Sequence, residues 1–223
     1  MKKDYCSITV LLDRSGSMLN IKNDIIGAFN SFIDSQKDLP GQCDISLYQF
    51  DDQYEVVYEG KNVKSTPLLN DENYVPRGWT RLLDGIGKTI NNLGVRLSKL
   101  PENERPEKVL FVIITDGEEN SSKEFKRNQI FEMIKLQKET YKWQFVFLGA
   151  NQDAIVTGAQ FGIGKNQSYT YSATSEGVHH LIGAIRSSTT TYRTSNSSQD
   201  FKINEEDREE NISKIVKNKT KTN

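Results

Sequence analysis

The segment Val109-Leu110-Phe111-Val112-Ile113-Ile114 is apolar at every position and stops at Thr115-Asp116-Gly117. A strand with one wet face alternates apolar and polar residues, whereas a run with almost no alternation fits a central parallel strand covered by helices on both faces. Parallel strands cannot be joined by a tight turn; each pair needs a crossover, usually a helix. This run therefore predicts a layered chain in which strands and helices alternate on either side of it.

The rest of the chain keeps that alternation. Residues 5–12 are a β-branched and aliphatic strand that ends in the polar turn Asp13-Arg14-Ser15-Gly16-Ser17. Ile21, Ile25, Ile26, Phe29, Phe32 and Ile33 recur at three- and four-residue steps, which predicts an amphipathic helix over 19–37, stopped by Pro40-Gly41. Residues 43–50 and 54–58 flank Asp51-Asp52 and predict a hairpin, hence one antiparallel edge strand. Residues 60–79 carry Pro67, Pro76 and little periodicity, a long irregular connection of the kind that goes with function. Leu82, Leu83, Ile86, Ile90, Leu93 and Leu97 mark a second helix, and Phe125, Ile130, Phe131, Ile134 and Leu136 a third. A strand over 144–148, the loop Gly149-Ala150-Asn151-Gln152-Asp153, a short helix over 153–160, a last strand over 167–171 and a helix over 176–186 complete the pattern.

The expected fold class is α/β: a doubly wound, Rossmann-like, mostly parallel central sheet with one antiparallel edge strand and helices on both faces. Residues 1–190 are expected to form one domain. Residues 191–223 are rich in Ser, Thr, Asn, Lys and Glu, with Phe201, Ile203, Ile212, Ile215 and Val216 too scattered to bury a core. They read as a polar, flexible tail with at most a marginal helix near 205–217.

Charge and cysteine usage narrow the function classes. With 29 basic and 30 acidic side chains, no overall field gathers nucleic acid, so recognition has to be local. No apolar run reaches the roughly 18 residues that would span a membrane, and the first strand follows Met-Lys-Lys-Asp without a signal-type cleavage site. The expectation is a soluble, cytoplasmic protein. Cys6 and Cys43 each lie in a strand-like segment, where a reduced thiol behaves as a small hydrophobe. His179 and His180 are adjacent, so on a helix they face different directions and do not pair into a site. Neither a Ser-His-Asp set nor a His-Glu-x-x-His motif is suggested, and catalysis is not expected.

On a doubly wound sheet, ligands bind at the carboxyl ends of the strands, near the point where strand order reverses. Asp13, Ser15 and Ser17, spaced two apart in the turn after the first strand, lie at that edge. Asp116 follows the central strand, and Thr80 can approach from a third loop. The donors are two carboxylates and three hydroxyls, a set that selects hard cations, Mg²⁺ first with Ca²⁺ or Mn²⁺ next, over Zn²⁺ or Cu²⁺. Taken alone, the turn at 13–17 also has the composition of a helix N-cap loop.

Asp13-Arg14-Ser15-Gly16-Ser17 after a hydrophobic strand resembles the Asp-x-Ser-x-Ser signature of von Willebrand factor type A domains. Thr80 in Gly78-Trp79-Thr80-Arg81-Leu82-Leu83-Asp84 and Asp116 in Ile114-Thr115-Asp116-Gly117 match that family's other two metal-site elements. The resemblance runs over residues 4–190 and is to stand-alone domains such as those of bacteria and phages. It implies a metal-ion-dependent adhesion site in which Ser15, Ser17 and often Thr80 bind the ion directly, while Asp13 and Asp116 act largely through waters. The open position would accept a Glu or Asp from a protein partner. An ion held mainly by neutral hydroxyls keeps most of its charge and attracts such a carboxylate.

Trp79 stands where the family commonly has a small residue, which leaves the shape of the Thr80 loop and the choice of partner open. Glu118 and Glu119 either tune the site or favour the dipole of the next helix. Asp84 either supports the site by hydrogen bonds or simply starts its helix. Two other functions stay open: a structural subunit of a larger assembly, a virus particle included, and a Mg²⁺-dependent phosphotransferase. The second fits less well, because dehalogenase-type enzymes use Asp-x-Asp and position 15 is Ser. The oligomeric state is not specified by these residues.

Overall fold

The uninterrupted apolar run becomes the strand β4 (Pro106–Thr115), and Leu110 and Val112 enter one core layer while Val109, Phe111 and Ile113 enter the other. The computed structural model describes residues 1–116, 119–150, 153–195 and 200–204. The other strands are β1 (Lys2–Asp13), β2 (Gln42–Phe50), β3 (Tyr54–Asn62), β5 (Gln144–Ala150) and β6 (Ser168–Tyr171). The helices are α1 (Lys22–Lys37), α2 (Leu82–Ser98), α3 (Arg127–Tyr141), α4 (Ala154–Gln160) and α5 (Ser175–Thr194).

The sheet order is β3-β2-β1-β4-β5-β6, and every pairing is parallel except β2 with β3. The doubly wound sheet with one antiparallel edge strand, expected from the run and the hairpin signal, is what forms. The chain begins in the middle of the sheet, so strand order reverses between β1 and β4. Asp13 and Thr115 end these two strands side by side, because Leu12 pairs with Ile114. One face is covered by α1 and α5, through Ile25, Phe29, Phe32, Ile33, Val178, Leu181 and Ile185; the other is covered by α2 and α3, through Ile86, Ile90, Leu93, Ile130 and Ile134. No helix among the described residues is long and apolar enough to cross a membrane.

Three boundaries differ from the sequence expectation. The first helix was expected from residue 19, but a 3-10 turn occupies Gly16–Ile21 and α1 begins at Lys22. The connection expected to be irregular from residue 60 is strand to Asn62, and Leu69 and Tyr74, 3% and 0% exposed, pin the remainder to the core. The last helix runs to Thr194, eight residues past its expected end at 186.

The Ser-Ser-Thr-Thr-Thr tract after Arg186 has weak helix propensity, yet tertiary packing overrides it. Ser188, Thr189 and Tyr192 are buried, and Lys108 of β4 donates from Nζ to the carbonyls of Tyr192 and Ser195, both at 2.7 Å, closing the helix end. Phe201 and Ile203 are also buried, with Ile203 N bonded to Asn166 O at 2.9 Å. The packed unit therefore extends past the boundary drawn at 190, to at least residue 204. The marginal helix near 205–217 lies outside the described residues.

Candidate metal centre

The polar turn after β1 is held in place by a neighbouring stretch of chain. Tyr74 donates its hydroxyl to Asp13 O at 2.8 Å, Arg77 N donates to Arg14 O at 2.8 Å, and Gly16 N donates to Gly78 O at 3.2 Å. Residues 74–78 thus run along residues 13–16 and deliver Thr80 to the same edge. Gly78 makes this approach possible: its φ is +67°, and a Cβ there would lie 2.3 Å from Asp52 Oδ1.

Within the turn, Ser15 N donates to Asp13 Oδ1 at 2.7 Å, and Thr115 Oγ1 donates to Asp13 Oδ2. The Ser15 and Ser17 hydroxyls lie 3.1 Å apart, and Ser17 Oγ donates to Asp116 Oδ1 at 2.7 Å. Four of the five expected ligands are thereby linked in one hydrogen-bonded chain. Thr80 makes no direct bond to them. It is placed instead by Asn120, whose Oδ1 accepts from Thr80 N at 3.1 Å and whose N donates to Thr80 O at 3.3 Å. The Thr80 side-chain hydroxyl, in a residue only 3% exposed, makes no hydrogen bond among the described residues.

The electrostatics are unbalanced. Burial pushes Asp13 from the ordinary carboxylate range up to about 6, with hydrogen bonds from Thr115 and Ser15 opposing the shift and the nearby Asp116 adding to it. Asp116 is raised as well, again by burial first, against the bond from Ser17. Neither is in an ion pair among the described residues. Arg14, next to Asp13 in sequence, is turned to other acceptors: Nε to Asp51 Oδ2 at 3.0 Å and Nη1 to Glu55.

A divalent cation fits this set. Two carboxylates without an ion-pair partner among the described residues, three hydroxyls, and a place at the strand-order reversal supply hard oxygen donors. Among the described residues there is no group of three His, Cys, Asp or Glu that could hold a metal, so the candidate depends on Ser15, Ser17 and Thr80 as well as its two acids.

The sequence reading left Asp84 and Glu119 between two roles, and their contacts show what they do. The Asp84 carboxylate accepts from the backbone N–H groups of Lys123, Glu124 and Phe125, each at 2.9 Å. Glu119 accepts from Leu83 N at 2.9 Å and from Ser122 N at 2.7 Å, while Ser122 Oγ accepts from Asp84 N at 3.1 Å. The start of α2, just after Thr80, and the chain following Asp116 are thus clamped to each other. Asn120 and Tyr74 carried no signal in the sequence for these roles. Glu118 and the middle of the 149–153 loop lie outside the described residues, while Asp153 caps α4 by accepting from Ile155 N at 3.0 Å and Val156 N at 3.1 Å.

No protein-family model matches the sequence, and no curated protein matches it. Solved structures do match its fold. One is proximal thread matrix protein 1 from the mussel byssus, with a zinc-occupied MIDAS motif, at a TM-score of 0.56 and 12% identity over 83% of this chain and 46% of that one. A second is the ArnB paralog VWA2 from Sulfolobus acidocaldarius, at 0.50 and 20% over 82% and 44%. A third is a von Willebrand factor type A protein from Catenulispora acidiphila, at 0.52 and 10% over 82% and 42%. The chain spans less than half the length of each. At such identities the likeness is one of architecture, and that architecture is the Rossmann-like α/β fold of von Willebrand factor type A domains.

Proposed function

We propose that the chain is a metal-dependent recognition module that docks an acidic side chain of a protein partner. The observation that carries this reading is the hydrogen-bonded chain Asp13–Ser15–Ser17–Asp116 at the point where strand order reverses, with Thr80 held on the adjoining loop by Asn120. Ser15, Ser17 and Thr80 would hold the ion directly, and Asp13 and Asp116 would act through waters. A bound Mg²⁺ supplies a positive charge only partly neutralised by protein, open to one more carboxylate. The zinc-occupied MIDAS motif of the byssus protein supports a divalent ion on a domain of this fold. Mg²⁺ is preferred here because the donors are all oxygen. No catalytic step is part of this reading.

The test is thermal unfolding of chelated protein titrated with Mg²⁺, Mn²⁺ and Ca²⁺, beside a Ser15→Ala, Ser17→Ala variant. An ion that binds only the folded state must raise Tm, and at a hundredfold excess over Kd the gain is about 2.7 kcal/mol. The expected result is a shift in the wild type that the variant loses. No shift with any of the three ions would sink the reading. A thread matrix protein among the fold relatives gives some weight to a structural role in an assembly, and sedimentation of the purified chain separates the two: a stable oligomer favours assembly, a monomer favours the module.

A further inference from the structure

Around the candidate metal edge, buried residues stand next to exposed apolar ones. Tyr74 is 0% exposed and Val75 46%; Met18 is 0% and Leu19 62%; Thr80 is 3% and Trp79 69%. Single apolar residues on a surface are ordinary. These three, however, sit on two loops joined by the Gly16–Gly78 hydrogen bond, immediately beside the candidate ligands. A Trp buries about 150–250 Å² when covered and is, with Arg, the residue type most enriched among those that dominate binding energy.

Arg81, on the other side of Thr80, is the second observation. Arg14, Arg77, Arg96, Arg105 and Arg193 all engage acceptors through their side chains. The Arg81 side chain makes no hydrogen bond or ion pair among the described residues, and its Nε is buried without a partner. A buried donor with no acceptor is costly, and a guanidinium fork matches a carboxylate in two parallel hydrogen bonds. Trp79-Thr80-Arg81 therefore sets an aromatic surface, a metal ligand and an uncommitted cation at consecutive positions.

We infer that the occupant of this edge is a linear acidic segment of a partner protein with three features: one carboxylate for the metal, a large apolar residue for Trp79 and Leu19, and a second carboxylate for Arg81. The inference rests on the metal reading proposed above and adds the partner's chemistry to it. Charge complementarity selects the occupant, since an ion held by Thr80 and the next residue, Arg81, without an acceptor among the described residues, attract acids and repel basic segments.

The experiment uses the full chain and four labelled, capped, glycine-rich peptides carrying Glu alone, Glu with Leu, Glu with Leu and Asp, or the neutral set Gln, Leu and Asn. Binding is read by fluorescence anisotropy in Mg²⁺ and in EDTA. Of the two tryptophans, Trp143 is 4% exposed, so acrylamide quenching of the wild type reports on Trp79. The Glu-Leu-Asp peptide is expected to bind roughly tenfold or more tightly than Glu alone, only with Mg²⁺, and to shield Trp79 from acrylamide. Trp79→Ala should erase the advantage conferred by Leu and Trp79→Phe should restore much of it. Arg81→Gln should erase the advantage conferred by Asp. All three variants should keep the Mg²⁺ thermal shift.

Equal affinities across the acidic peptides, unchanged behaviour of the variants, or no peptide binding at all, each with the Mg²⁺ shift intact, would overturn this proposal and leave the metal reading standing. Loss of the Mg²⁺ shift in the wild type itself would fell both. A dimer that Trp79→Ala abolishes would show that a second copy covers the patch, and would overturn the proposal as well.

Discussion

At the amino end of the strands, Lys108 is 7% exposed and its amine is bonded to the carbonyls that end α5, while Arg193, 8% exposed, donates to Gln36 O at 2.8 Å at the end of α1. Asp44 nearby takes Arg96 Nη1 at 3.0 Å and Ser7 Oγ at 2.6 Å. At the carboxyl end, among the described residues, Asp13 is 0% exposed with no ion-pair partner, the Thr80 hydroxyl makes no hydrogen bond, and Trp79 is 69% exposed. Buried charge occurs at both ends; the carboxyl end pairs Arg14 with Asp51 but leaves Asp13 without a cation among the described residues. Burial of a charge is costly unless it is paired, so Lys108, Arg193 and the Asp44 pair hold the fold together, while Asp13 is the buried charge that a bound cation would relieve.

That contrast predicts different responses to mutation. The largest loss is expected at Lys108→Met, which strips the α5 terminus of its donor: about 3 kcal/mol in urea unfolding, the same with Mg²⁺ as with chelator. A loss that Mg²⁺ repairs would break the division between the ends. Asp13→Asn should act in the opposite sense. With burial holding that carboxyl near 6, its charge opposes folding at neutral pH, so removing the charge should stabilise chelated protein by about 2–3 kcal/mol and abolish the Mg²⁺ shift. Destabilisation in chelator would mean that the carboxylate is satisfied by the protein alone.

Asp84→Ala tests the clamp between the two halves of the site. Uncapping three backbone N–H groups should cost about 2 kcal/mol, and loosening Thr80 relative to Asp116 should weaken Mg²⁺ binding roughly tenfold by calorimetry. Lost stability with unchanged Mg²⁺ affinity would confine Asp84 to the fold.

The smallest effect concerns Cys43, whose thiol burial pushes up to about 12. The native thiol stays neutral while the unfolded one ionises near 8.5, so its contribution is complete below that value and is lost as pH rises through 12. Between pH 8 and pH 10 the wild type should lose about 1–2 kcal/mol more stability than Cys43→Ala. Parallel pH curves would show that the thiol reaches solvent in the native state.

The parts legible in the sequence share a local signature. The apolar run at 109–114 announced a strand covered on both faces, the hairpin signal announced the antiparallel edge, and the spacing of Asp13, Ser15 and Ser17 announced a cluster of oxygens. The parts that were not legible depend on contacts between distant residues. Nothing near Arg186 says that α5 continues to Thr194, because what closes it is Lys108, far away in sequence. Nothing in Ser121-Ser122-Lys123 says that its backbone is tied to Asp84 and Glu119. Propensity is a weak prior where burial decides, and the Ser/Thr tract of α5 shows it.

The order of strands and helices, the covered central strand and the oxygen character of the candidate site were determined by the sequence alone, because periodicity and residue chemistry are local properties. Which buried charges find partners, how Thr80 is held by Asn120, and that Trp79 and Arg81 are left uncommitted among the described residues were decided only by the tertiary structure. Burial and pairing belong to neighbours in space, and a side chain's neighbours exist only once the sheet has brought β1 and β4 together.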